Sequence, residues 1–286
     1  MFMKLLLILV LVEFNLGARY ISDDELKTFC EKLLAADKNN VASFITLNLQ
    51  GKSKFNDNSD VSPNKLMTVA PEAYKPLTIS KVLPLYDNYD PDTTHTEEVT
   101  KVKKNEESAL LDAFLSTEVM GLAKNLLQTK EIAPKNDLDF RNLISDLWFT
   151  TFSRGGRKKG SSAFEHIFVG ELKKGDISGL HSWIFFNHEE QKDRINYLGW
   201  SKKMDFPNNK GSIIKVKYTW KNVTKPAGSM FVGTSPEFDM ALYTVCFFAR
   251  PNDRCNLSVG GKSFFIQSYV FKEGNKEIIG SAYPGI

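Results

Sequence analysis

Hydrophobic positions change their period partway along the chain. Behind Ser22-Asp23-Asp24-Glu25, Leu26, Phe29, Cys30, Leu33 and Leu34 recur every three or four residues. That is an apolar helix stripe preceded by a capping box, in which the Ser and Glu side chains each satisfy an orphan amide of the first turn. A second helix is predicted between about Asn105 and Gln128, with Leu111, Phe114, Leu115, Val119, Leu122 and Leu126 on one side. A third begins after Pro134 and carries Leu143, Ile144, Leu147 and Trp148. Stretches 51–63 and 87–105 are polar without period and read as loops. After about residue 160 the pattern shortens to aromatic and β-branched runs punctuated by Gly, Pro and Asn. These are Phe164 to Gly170, Gly179 to Phe186, Ile213 to Trp220, Ser229 to Gly233, Leu242 to Arg250, Ser263 to Phe271 and Glu277 to Tyr283. Antiparallel strands are predicted there. Helices first and strands second argue for an α+β fold, a helical part at about 19–150 packed on a β-rich part at about 151–286.

The first eighteen residues stand apart from both. Met1 to Lys4 are basic, Leu5 to Val12 are apolar without a break, and small residues follow at Gly17 and Ala18. This is the layout of a secretory signal peptide at 1–18, and it makes secretion the expectation. The run is too short to cross a bilayer and no later segment reaches the needed length, the best being the mixed stretch Ala241 to Ala249, so no membrane span is expected. In a secretory compartment Asn222-Val223-Thr224 and Asn256-Leu257-Ser258 become candidate N-glycosylation sites at Asn222 and Asn256. Cys246 and Cys255 could pair there, leaving Cys30 over; three buried free thiols is the alternative.

Composition narrows the class. With 286 residues, 42% of them hydrophobic, the chain can bury a large core, and disordered or collagen-like classes are excluded. Three Cys without a C-x-x-C spacing argue against a zinc knuckle. The net charge of +3 hides an asymmetry: residues 18–149 hold 16 basic against 21 acidic side chains, and residues 150–286 hold 20 against 12. A basic C-terminal half suggests a polyanionic partner, nucleic acid first.

That half also holds the candidate chemistry. His166 and His181 flank the turn Lys173-Lys174-Gly175, and a hairpin centred near Lys174 would set them opposite each other to within one residue of register. Paired imidazoles can serve one reaction as proton acceptor and proton donor; two structural His held by nearby carboxylates is the alternative. Glu165 and Glu171 flank His166 and allow a metal reading, although no H-E-x-x-H spacing is present. Lys225, between Thr224 and Pro226 in a predicted loop, offers an ammonium suited to a phosphoryl transition state. Gly233-Thr234-Ser235-Pro236-Glu237 and Gly280-Ser281-Ala282-Tyr283-Pro284 add hydroxyls and a ring that could bind a nucleobase. His188-Glu189-Glu190 reads as a solvated turn and His95 as surface.

Taken together these blocks resemble the EndoU or poly(U)-specific endoribonucleases, and in particular their secreted animal members. The likeness runs through Leu147-Trp148-Phe149, Phe152-Ser153-Arg154-Gly155, Ser161 to Glu171, Ser178 to Ile184, Asn196-Tyr197-Leu198-Gly199, Lys225 to Ser229, Phe231 to Leu242, Ile266 to Tyr269 and Gly280 to Pro284. It implies a monomeric, divalent-metal-stimulated enzyme that cuts single-stranded RNA at uridines through the ribose 2′-OH, a phosphorus–oxygen lyase leaving 2′,3′-cyclic phosphate ends. By that resemblance His181 takes the 2′ proton, His166 protonates the departing oxygen, with the two roles exchangeable, and Lys225 stabilises the charged phosphorane. Ser229 would bond the uracil edge, Ser281 and Tyr283 would contact base or sugar, and Glu165 and Glu171 would be linked to manganese or calcium. Gly160, Ala163, Phe152, Leu180 and Ser182 depart from the family pattern and put rate and metal response in question. The competing expectation is an RNA-binding regulator of the same fold with little or no turnover.

Overall fold

A computed structural model describes residues 20–57, 59–154 and 157–286, so the expected signal peptide at 1–18 lies outside the described residues. The N-terminal part supplies five helices, α1 (Asp23–Ala36), α2 (Leu77–Val82), α3 (Lys101–Leu115), α4 (Glu118–Thr129) and α5 (Asp137–Phe149), and a small ribbon of β1 (Ile45–Leu47) and β2 (Met67–Val69). The capping box forms at α1, where Ser22 and Glu25 bond each other's backbone amides. The single helix expected over 105–128 is two. Thr117 breaks it, because its side chain accepts from the Met120 amide and starts α4 afresh.

The C-terminal part holds a hairpin, β3 (Glu171–Lys173) with β4 (Asp176–Ser178), then helix α6 (Trp183–Gln191) and an antiparallel sheet of β5 (Ile195–Asp205), β6 (Ser212–Trp220) and β7 (Val223–Val232). Helix α7 (Pro236–Ala249) follows, and a second antiparallel sheet of β8 (Arg254–Val259), β9 (Lys262–Glu273) and β10 (Lys276–Gly285) closes the chain. The α+β class holds.

Three predicted strands are not strands. Phe164 to Gly170 is mostly one π-helical turn (Glu165–Val169), Gly179 to Phe186 is a loop running into α6, and Leu242 to Arg250 belongs to α7. All three are buried almost all round, so their apolar runs carry no period that separates helix from strand. The start of α7 is set locally: Ser235 accepts from the Phe238 amide and Pro236 pre-sets the first turn. Thr234 and Ser235 are therefore sealed inside, Thr234 on the Asp239 carboxylate, and take no part in an open site. Likewise His188-Glu189-Glu190 is not a solvated turn; it lies on α6 with both Glu buried. Lys225 stands on β7 and not in a loop.

Helix α7 joins the two parts, packing on α1, α2 and α4 on one side and on β8, β9 and β10 on the other. Its buried Thr244 accepts from the Trp148 indole of α5 at 3.0 Å, and a single apolar core runs through both parts. A disulfide links Cys246 of α7 to Cys255 of β8, while Cys30 is free and buried. Asn222, in the β6–β7 turn, and Asn256, on β8, are exposed. Among the described residues no helix is long and apolar enough to cross a membrane.

Candidate active site

The π turn is closed by the Gly170 amide on the Glu165 carbonyl at 2.7 Å, and it presents His166 toward the loop before α6. That loop is stitched to it by backbone bonds from Leu180 to the His166 carbonyl and from His181 to the Ile167 carbonyl. The two imidazoles lie together, ring centres 6.5 Å apart, although neither is on a strand. Gly179 makes this crossing feasible. Its φ is +71°, and a Cβ there would fall 1.7 Å from the His166 carbonyl oxygen, so no other residue fits.

Both imidazoles are tied at Nδ1. His166 donates from Nδ1 to Glu171 Oε2 at 2.8 Å and takes the Ser281 hydroxyl at Nε2, 2.9 Å away. His181 donates from Nδ1 to the Ser229 carbonyl at 2.8 Å, and the Tyr283 ring stacks on it at 5.1 Å. These bonds fix the tautomers and leave each Nε2 as the working nitrogen. Lys225 Nζ donates to the Gly179 carbonyl beside them. His166, His181, Lys225, Ser229, Ser281 and Tyr283 all line one cleft of about 460 Å³.

Two β-bulges aim this set. In β7, Pro226 and Ala227 together oppose only Lys217 of β6; Pro has no amide to give the ladder, and the bulge sets the position of Lys225. In β10, Gly280 is the extra residue between the Ile279–Val270 and Ser281–Tyr269 pairs, and Ser281 follows it onto His166.

Burial sets the proton affinities. His166 and His181 are 4% and 6% exposed, and burial holds both well below the usual imidazole value, with the Arg154 and Lys225 charges adding at His166 and Lys225 at His181. The same burial lowers the Lys225 ammonium to about 8, against the pull of Glu171. Glu171 is pushed up to about 7 by burial, opposed by the Arg154 guanidinium on Oε2 at 2.7 Å.

Arg154 carried no separate role in the sequence, yet it ties the site across the fold, bonding Glu171, Ser161 and the Gly280 carbonyl of the bulge. Its contacts reach as far as 126 residues along the chain, beyond any local pattern. Of the five departures noted, Phe152 stacks on Phe271 at 4.3 Å, and Ala163 is fully buried. A side chain at Gly160 would strike the His95 carbonyl oxygen at 2.0 Å. His95 itself is exposed and bonded to Asp90.

Glu165 and Glu171, as arranged, do not fit a divalent ion. Glu171 has both oxygens taken, Oε1 by Ser161 and Oε2 by His166 and Arg154. Glu165 is sealed at 0% exposure, and burial, with the Glu171 and Glu97 charges adding, holds its carboxyl well above the usual range. Manganese and calcium need several oxygen or nitrogen ligands at once, and among the described residues no three acidic, His or Cys side chains converge.

A family model described as Endoribonuclease XendoU matches residues 25–284. Among curated relatives, the uridylate-specific endoribonuclease EndoU of Drosophila melanogaster is 34% identical over 267 residues, covering 91% of this chain and 82% of its own length. Uridylate-specific endoribonuclease D of Xenopus laevis is 34% identical over 275 residues, covering 93% and 90%. The solved structure of XendoU, described as a splicing independent snoRNA processing endoribonuclease, superposes with a TM-score of 0.76 at 32% identity, covering 91% of this chain and 96% of that one.

Proposed function

Because the chain belongs to the XendoU family of endoribonucleases and is thus an enzyme acting on RNA, we propose that it cuts single-stranded RNA at uridylates, leaving 2′,3′-cyclic phosphate ends. The observation that carries this reading is the pair of imidazoles with Nδ1 tied back and Nε2 facing one cleft beside an ammonium.

Cleavage through the substrate's own 2′-OH needs a base, an acid and a stabiliser of the phosphorane, and no protein nucleophile. His181, tied to a neutral carbonyl and pushed toward its neutral form by burial and the Lys225 charge, is suited to take the 2′ proton at Nε2. His166, tied to a carboxyl group, better holds the proton that the departing 5′ oxygen needs, because an ionised Glu171 stabilises the imidazolium. A phosphate entering the cleft brings negative charge that favours the protonated imidazole. Lys225 meets the non-bridging oxygens, where that charge accumulates. Ser229 and Ser281 supply hydroxyls and Tyr283 a ring for the uracil. Stimulation by manganese or calcium, which the resemblance implies, draws on neither Glu165 nor Glu171, and no step above passes through an ion. The Cys246–Cys255 disulfide supports a protein made for an oxidising compartment, consistent with secretion.

The test is an oligonucleotide with a single uridine, incubated with the wild-type chain and with His181→Ala, with and without manganese or calcium, and products read by mass. Cutting 3′ of the uridine to a cyclic phosphate, reduced ~10³-fold in the variant, is the expected result. Binding without cutting in the wild type would refute it.

A further inference from the structure

Strand register aligns residues into two rows that run outward from the catalytic pair. On the first sheet Lys202 of β5 pairs with Lys215 of β6, and Lys215 with Ser229 of β7, whose carbonyl holds His181. On the second sheet Arg254 of β8 pairs with Gln267 of β9, and Gln267 with Tyr283 of β10, whose ring covers His181. Directly paired residues share a face of their sheet, so each row is a continuous strip of side chains. Lys215, Ser229, Arg254, Gln267 and Tyr283 all line the cleft.

Both strips carry cations toward their outer ends; Lys202, outermost on the first, donates to the Ile286 oxygen at 2.7 Å, while Lys215 and Arg254 keep free charged ends. Lys215 and Arg254 make no ion pair among the described residues, and no Asp or Glu lines the cleft. Arg254 is held in place without being neutralised, its guanidinium 4.5 Å from the centre of the Phe265 ring. Elsewhere on these strands cations are paired, Lys203 with Asp205 and Lys272 with Glu277. A cation kept clear of carboxylates beside a phosphoryl-transfer site is arranged for a second anion.

Building on the endoribonuclease reading, we propose that Arg254 and Lys215 hold the two RNA phosphates that flank the scissile one, on opposite sides of it. The enzyme is then a reader of a short backbone segment and not of a lone uridine nucleotide. The class of ligand is the phosphodiester backbone of single-stranded RNA, bound through charge without base readout.

The experiment compares a uridine-containing dinucleotide, which has only the scissile phosphate, with a longer single-uridine oligonucleotide, using wild type, Arg254→Ala, Lys215→Ala and Lys272→Ala. Arg254 is exposed and Lys215 half-buried with a side chain toward the cleft, so both variants should fold, which a thermal melt checks. For each of the first two variants KM on the oligonucleotide is expected to rise about tenfold with kcat little changed, and the loss on the dinucleotide to be much smaller. The slope of log affinity against log salt should flatten by ~0.7 per variant. Lys272→Ala, whose lysine pairs with Glu277 away from the cleft, should behave as wild type on both substrates. Equal losses on the two substrates, or an unchanged salt slope, would overturn the proposal. If the wild type cuts neither substrate, the functional reading fails, and the salt slope of binding to the uncut oligonucleotide still decides this one.

Discussion

Two cavities in this molecule look alike in their contents. The catalytic cleft measures about 460 Å³ and the other, lined by Tyr86, Phe185, His188, Glu189, Arg194 and Trp220, about 380 Å³. The π turn feeds both, with His166 in one and Val169 in the other. Each holds an imidazole, basic side chains and aromatic rings. The difference lies in which end of each polar group is spent. In the second cavity Glu189 collects everything: Arg194 at 2.6 Å, Trp220 Nε1 at 3.0 Å and His188 Nδ1 at 3.2 Å. In the catalytic cleft the carboxylate and carbonyl bonds are made from behind, to Nδ1 of each His, and the Nε2 ends face the same volume, that of His166 meeting only the small Ser281 hydroxyl. Composition alone does not make a site; orientation of the unsatisfied ends does.

Experiments that break this contrast can be ranked. Lys225→Ala removes the ammonium held on the Gly179 carbonyl beside the two imidazoles, and kcat should fall ~10²-fold to 10³-fold with the fold intact by circular dichroism. Near-normal turnover would show that the converging ends are not what matters. A smaller effect is expected from Glu171→Gln, which keeps the shape behind His166 and removes the charge; a fall of about tenfold is expected. Its signature is the pH profile. In the wild type, activity should fall in two steps as pH rises, first past about 7, where the Glu171–His166 pair gives up the proton that the departing oxygen needs, then past about 8, where Lys225 loses its charge. The variant should lose the first step and keep the second; a profile that does not change would detach Glu171 from the chemistry. Least of all is expected from His188→Ala in the second cavity, where steady-state rates should stay within about twofold of wild type, since Glu189 keeps Arg194 and Trp220.

The sequence made much of the catalytic cleft legible and almost none of its support. Hairpin arithmetic around Lys174 brought His166 and His181 together for a sound reason: β3 and β4 pair Glu171 with Ser178, and chain leaving a hairpin stays adjacent for a few residues more. It failed on local structure, because a fully buried π turn and a fully buried helix start have no polar side to mark their period. Pro226 looked like a loop former and is instead the irregular residue of a bulged strand. Arg154, Gly280 and the outward strips are properties of register between distant strands, and no spacing within one segment encodes them.

Glu165 leads to a different kind of observation. It is sealed one residue from His166, and both its oxygens lack a hydrogen-bond partner among the described residues. Burial pushes this carboxyl toward its protonated form. A neutral, unbonded acid vibrates at the high-frequency edge of the carbonyl infrared range, clear of the peptide bands, and its frequency follows the local electric field. The molecule thus carries its own field gauge next to the reacting atoms: an absorption that should vanish in Glu165→Gln and shift when a phosphate settles beside His166.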